Sequence, residues 1–239
     1  MSPASDQSPV SELHFETRDL LFEQLCLTVV DQLNQAIRQR GSASLIVSGG
    51  STPKPLFALL AQSELDWAKV TVTLADERWV DEDDPASNAK LVRENLLVGH
   101  AAAASFLSLK TPESTPEQGE KTLSDRLAVL VEPLDVVLLG MGGDGHTASL
   151  FPKGDQLARA LSGTGGTRCC AMRAPGAAQP RMTLSAPFLL HARQVVILCT
   201  GEDKRRVFEE ARAGGPVEDL PIRAFLQQTP TPVAFYWAP

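Results

Sequence analysis

Asp144 and His146 are separated by Gly145 alone, and four glycines occupy the six positions 140–145. A carboxylate next to an imidazole can fix its tautomer and orientation. A neutral imidazole is also the side chain best matched to general-base work near pH 7. A lone histidine is more often structural than catalytic, but this one falls in a loop too rich in glycine to be core. Just upstream, residues 136–139 form a short apolar run that stops at Gly140, the pattern of a strand buried on both faces. In parallel α/β sheets the loops at the strand carboxyl ends carry the ligand. Asp144 and His146 therefore sit where chemistry is expected.

Three further strand ends carry candidate groups. The first reads Ser48-Gly49-Gly50-Ser51-Thr52-Pro53. Gly49 and Gly50 let backbone approach a ligand, Ser51 or Thr52 can cap the following helix, and a Pro suits its first turn. Free N–H groups at such a helix start make an anion site; a well-capped turn without a ligand is the equal alternative. The second end reads Asp76-Glu77-Arg78-Trp79, two acids and a cation that could serve acid/base and anion-binding roles. Taken alone, the segment reads first as a solvated charged turn. The third reads Thr200-Gly201-Glu202-Asp203-Lys204-Arg205. Basic residues opening a helix oppose its dipole, so a phosphate-binding role for Lys204 or Arg205 is favoured over a surface role. Arg181 is one more isolated cation.

The elements that must position these groups follow from periodicity. Apolar residues at 20, 21, 25, 29, 33 and 37 predict a helix over 18–40, stopped by Gly41. Further helices are expected near 56–60, 86–97, 116–130, 203–212 and 222–226. Strands are expected near 44–47, 70–75, 136–139, 168–172, 194–199 and 233–237. Strands alternating with helices predict an α/β fold, a mostly parallel sheet with helices on both faces. Residues 1–12 are polar and read as a loose tail, leaving 13–239 as a single domain. Residues 153–180, rich in Gly, Ala and Pro, are expected to form a mobile flap over the site.

Composition narrows the function. A net charge of −7 over 239 residues argues against a nucleic-acid surface, so an anionic ligand must be held by a few local cations. The four cysteines show no CxxC or zinc-like spacing, and His14, His100 and His191 lack ligand-like partners, so no metal is expected. The chain shows neither a signal-peptide pattern nor a long apolar run, so a cytoplasmic protein without membrane contact is expected. Residues 140–145 satisfy G-x-G-x-x-G. However, no acidic residue lies between Asp155 and Glu202 to bind a ribose, and Pro152 interrupts the helix such a site needs. A dinucleotide cofactor is therefore not expected. Neither a P-loop nor a G-x-S-x-G elbow is present.

Taken together, SGGSTPKPLF at 48–57, ADERWV at 75–80 followed by Ser87-Asn88, GMGGDGHTASLFP at 140–152, and RMTLS at 181–185 resemble the 6-phosphogluconolactonases. These form part of a larger group that includes glucosamine-6-phosphate deaminases. The resemblance implies a Rossmann-like fold and hydrolysis of 6-phospho-D-glucono-1,5-lactone, the second step of the oxidative pentose phosphate pathway, without a cofactor. The deaminase-like pattern has a Glu five residues after the loop histidine, where this chain has Phe151, and Arg78 is also lactonase-like. Asp81 departs from the lactonase pattern, in which Pro commonly follows the Val.

The mechanism this resemblance implies has His146 activating water and Asp144 orienting His146. The oxyanion would be met by the amides of Gly142 and Gly143, with Arg78. The phosphate would be held by the turn of Gly49, Gly50, Ser51 and Thr52, with Arg181 and Lys204 as cations. Asp76 would either face the sugar or orient Arg78. The partner is thus a small sugar phosphate lactone, and a monomer is expected, with a weak homodimer as the alternative. Two rival functions are an amino-sugar-phosphate isomerase or deaminase, and a sugar-phosphate sensor without turnover.

Overall fold

A computed structural model describes residues 10–239. In chain order the elements are β1 (Val10–His14), α1 (Arg18–Arg40), β2 (Ala43–Val47), α2 (Lys54–Ala61), β3 (Val70–Leu74), β4 (Asp76–Arg78), α3 (Asn88–Asn95), β5 (Ser105–Leu107), α4 (Pro116–Leu127), β6 (Leu134–Leu139), α5 (Leu157–Ser162), β7 (Cys169–Met172), β8 (Arg181–Leu184), α6 (Ala186–Leu190), β9 (Ala192–Thr200), α7 (Glu202–Arg212), α8 (Arg223–Leu226) and β10 (Val233–Ala238). Seven strands form one sheet in the order β1-β10-β9-β6-β2-β3-β5, and every pairing is parallel. Every residue of β2, β6 and β10 is buried, so both faces of the sheet centre are covered, as the continuous apolar runs require.

The long helix α1 forms for local reasons. The Thr17 side chain accepts from the Leu20 amide, and Gly41, in the left-handed region, donates to the Ile37 carbonyl. Leu21, Leu25, Val29 and Leu33, spaced by four, are wholly buried and face β2, β6 and β10. Burying each such side chain contributes about 1.5–3 kcal/mol.

The chain runs outward from β2 through β3 to β5 on one side, and from β6 through β9 to β10 on the other. Adjacent strands that send the chain in opposite directions open a crevice at their carboxyl ends. The Ser48 amide donates to the Leu138 carbonyl (3.0 Å) and holds the two strands together up to that crevice.

A second, antiparallel sheet of order β4-β8-β7 stands beside it. Ala75 is the junction: its amide donates to Val47 in the large sheet (2.8 Å), and its carbonyl accepts from Leu184 in the small one (2.9 Å).

Three expectations are corrected. Residues 10–12 belong to β1, paired to β10 at the sheet edge; the rest of the expected tail lies outside the described residues. The segment 76–78 is not a solvated turn but β4, with Asp76 and Glu77 buried. The segment 153–180 forms no flap: it contains α5 and β7, whose four residues are all buried, and it contributes nothing to the cleft described below. Burial pushes the Cys169 and Cys170 thiols up to about 12 and about 11, so neither is poised for redox chemistry. Among the described residues no helix is long and apolar enough to cross a membrane.

Candidate active site

A cleft of about 420 Å³ opens at the β2–β6 crevice. It brings together Gly49, Gly50, Ser51, Thr52, Asp76, Arg78, Gly142, His146, Arg181 and Lys204, and Asp144 binds His146 at its rim. Gly143 lies beneath the Lys204 ammonium: a Cβ added there would be 3.7 Å from its Nζ.

The loop after β6 forms one wall. His146 Nδ1 is 2.5 Å from Asp144 Oδ1, and the His146 amide donates to the same oxygen (3.2 Å). Burial pushes the Asp144 carboxyl up, but the charge and both hydrogen bonds of His146 outweigh it and hold the group below the usual carboxylate range. Backbone closes the loop around this pair. The Gly142 amide donates to the His146 carbonyl (2.8 Å), and Ile222 donates to the Gly145 carbonyl (2.9 Å). A Cβ on Gly142 would lie 2.1 Å from His146 Nδ1, so only glycine lets the imidazole settle there. The Gly142 amide is thereby committed, and its expected role as an oxyanion donor is corrected. The Gly143 amide makes no hydrogen bond among the described residues. Phe151 packs on the imidazole, with ring centroids 4.5 Å apart, and its own ring lies 5.7 Å from the Arg181 guanidinium.

The opposite wall comes from the small sheet. Arg78 and Arg181 are register partners across β4 and β8, which places two cations on one face where like charges are unfavourable. Arg78 donates to the Ala86 carbonyl (2.5 Å), and Arg181 lies 3.9 Å from Asp76. Each keeps a buried Nε without a partner. Burial lowers the Arg181 pKa against the pull of Asp76, and Arg78 adds to the lowering. Asp76 accepts from Ser149 (2.5 Å) and is 3.5 Å from Asn88 Nδ2. It makes no ion pair with Arg78, so the alternative that it orients Arg78 is corrected: its cationic neighbour is Arg181.

Glu77, pointing the other way, is 1% exposed. It accepts from the amides of Arg78, Asn88 and Ala89 and from the Ser87 hydroxyl, at 2.7–3.1 Å. Burial drives its carboxyl above the usual range, against those hydrogen bonds. Glu77 thus ties β4 to the start of α3. The sequence pattern did not single out Asn88 or Ser149, which hold Asp76 in place, and Glu77, read there as an acid/base candidate, is a structural anchor. The available signal was Ser87, a good N-cap placed after two acids that could only be explained by a partner.

At the β2 end, α2 begins at Lys54 with Pro53 at its N-cap and no side-chain cap. Ser51 and Thr52 do not cap it, which corrects that expectation. Lys204, in the first turn of α7, faces the cleft and has no ion-pair partner among the described residues. Cys199 also lines the cleft, but burial pushes its thiol up to about 12. Among the described residues no cluster of His, Cys, Asp and Glu is placed to hold a metal ion.

Comparison with known proteins agrees with this geometry. The chain is 46% identical over 225 residues to a 6-phosphogluconolactonase of Rhizobium meliloti, covering 94% of this chain and 97% of the relative. It is 40% identical over 215 residues to one of Pseudomonas aeruginosa, covering 90% and 89%. The crystal structure of a 6-phosphogluconolactonase from Shewanella baltica superposes with a TM-score of 0.94 at 43% identity, covering 96% of this chain and 98% of that one. The sequence model described as Glucosamine-6-phosphate isomerases/6-phosphogluconolactonase matches residues 16–237, and the chain belongs to that family.

Proposed function

We propose that this protein hydrolyses 6-phospho-D-glucono-1,5-lactone to 6-phospho-D-gluconate, with His146 as the general base. The observation that carries this reading is the 2.5 Å contact between Asp144 and His146 in a cleft whose far wall holds Arg78 and Arg181. A proton on Nδ1, donated to Asp144, leaves the Nε2 lone pair free to accept one from water. The water oxygen attacks the lactone carbonyl carbon, and Asp144 stabilises the imidazolium that forms. The oxyanion is met by the Gly143 amide and Arg78 Nε; preorganised donors of this kind are worth about 3–4 kcal/mol each. The bond from the carbonyl carbon to the ring oxygen then breaks, and the imidazolium returns its proton to that oxygen. The products are a carboxylate and a hydroxyl.

The phosphate is assigned to the turn of Gly49, Gly50, Ser51 and Thr52 and to the cations Lys204 and Arg181. Phe151 favours the lactonase over the amino-sugar chemistry in the family's name. It packs an apolar ring on His146 where the deaminase-like pattern has a carboxylate. The proposal includes a monomeric, cytoplasmic enzyme, in keeping with four free cysteines of which three are buried.

The test is a dehydrogenase-coupled assay on freshly generated lactone, corrected for spontaneous hydrolysis. The expected result is saturable acceleration that is lost in His146→Ala. Hydrolysis at the spontaneous rate overturns the assignment.

A further inference from the structure

Asn88, the first residue of α3, is 2% exposed and lines the cleft between the Gly49 turn and Asp76. Its amide donates to Glu77 (2.8 Å), and its Nδ2 donates to the Asp76 carbonyl (2.9 Å) and reaches Asp76 Oδ1 (3.5 Å). Its Oδ1 has no donor at all. That oxygen lies so close to Gly49 that a Cβ there would be 1.9 Å away. Rotating the amide by half a turn would not relieve this, because it would set an acceptor against two Asp76 oxygens. The oxygen is thus fixed as a buried acceptor without a partner, a rare and costly arrangement that calls for an explanation.

The explanation lies in the ligand's polarity. A phosphate dianion offers only acceptors and is repelled by an amide oxygen. A hydroxyl can donate to it.

We infer that Asn88 is a substrate-binding residue whose Oδ1 accepts a hydrogen bond from a ring hydroxyl of the sugar lactone. This rests on the lactonase reading and extends it: the acceptor places the hydroxyl edge of the ring against α3. Because that oxygen lies against Gly49, the phosphate is left to the rest of the turn, residues 50–52, and to Lys204.

The experiment compares the lactone with its 2-, 3- and 4-deoxy analogues, using wild type and Asn88→Ala. Wild type is expected to lose at least about tenfold in kcat/KM with one analogue, the size of one hydrogen bond to a buried partner. Asn88→Ala is expected to lose as much on the parent lactone, yet to match wild type within about twofold on that analogue. Asn88→Leu, of similar size and without an acceptor, supplies the same comparison should Asn88→Ala not fold. An equal loss on all four substrates, or a wild type indifferent to all three deletions, overturns the inference while leaving the lactonase reading intact. A wild type that leaves the parent lactone at its spontaneous rate overturns both.

Discussion

The two walls of the cleft are built by opposite means. The wall after β6 is local. Asp144 and His146 meet because they are two residues apart and glycine allows the turn, and its internal hydrogen bonds join residues 142 to 146. The wall of β4 and β8 is non-local. Asp76, Arg78 and Arg181 meet because two short polar strands, distant in the chain, pair antiparallel, and Glu77 binds one of them to α3. The difference implies a division of labour. In the proposed mechanism the local wall supplies the base and its carboxylate, and the non-local wall supplies Arg78 to the oxyanion, holds the substrate and ties the fold together.

The largest test of that division is His146→Ala. It is expected to lower kcat by about two to four orders of magnitude, the usual share of a general base, with KM little changed in steady-state kinetics. Near-normal kcat would remove the local wall from the chemistry.

Next comes a matched pair of glycines. Gly142→Ala drives a methyl into the imidazole and is expected to lower kcat about a hundredfold, as misplacement of a catalytic group by about 1 Å does. Gly49→Ala drives its methyl into Asn88 and is expected to act chiefly on KM, by about tenfold for one lost polar contact. If both changes fell on the same parameter, the division would fail.

Glu77→Gln sets an amide NH₂ group among four donors. It is expected to cost about 1–3 kcal/mol, seen as a fall in Tm of about 2–4 °C per kcal/mol for a chain of this size. Little effect on kcat is expected. An unchanged melting curve would show that β4 is held by other means.

The smallest effect is electrostatic. Asp144 is held below its ordinary value in the fold, so its contribution to stability is full above that value. The contribution is lost as pH falls toward the depressed one. Asp144→Asn is expected to flatten the acid limb of stability, measured by thermal melts from about pH 6 to about pH 3. A limb as steep as that of wild type would contradict the pairing with His146.

What was legible in the chain followed the same division. The strands near 44–47 and 136–139 could be read from short apolar runs, and α1 from its spacing of four, because burial there is a property of the segment itself. The Asp144–His146 pair and the Gly49 turn were legible for the same reason. Asp76-Glu77-Arg78 was ambiguous between a site and a solvated turn, because a charged tripeptide is buried only if something else satisfies it. Its partners are Ser87, Asn88 and Ala89 at the start of α3, Ser149 after the loop of Asp144 and His146, and Arg181 on β8. The edge strand β1 went unread because VSELH lacks both an apolar run and clean alternation, and its ladder depends on β10.

The sequence by itself determined the α/β class, the pairing of Asp144 with His146, and the glycines that let backbone approach a ligand, since each depends on nearest neighbours and local sterics. Only the tertiary structure decided that the chain turns in opposite directions at β2 and β6, opening the cleft there. It also decided that Gly142's amide is spent, that Asp76 answers Arg181 rather than Arg78, and that Asn88 keeps a buried acceptor without a donor. Those outcomes depend on which distant segments come to share a surface, and on how the polar groups trapped between them find partners once water is excluded.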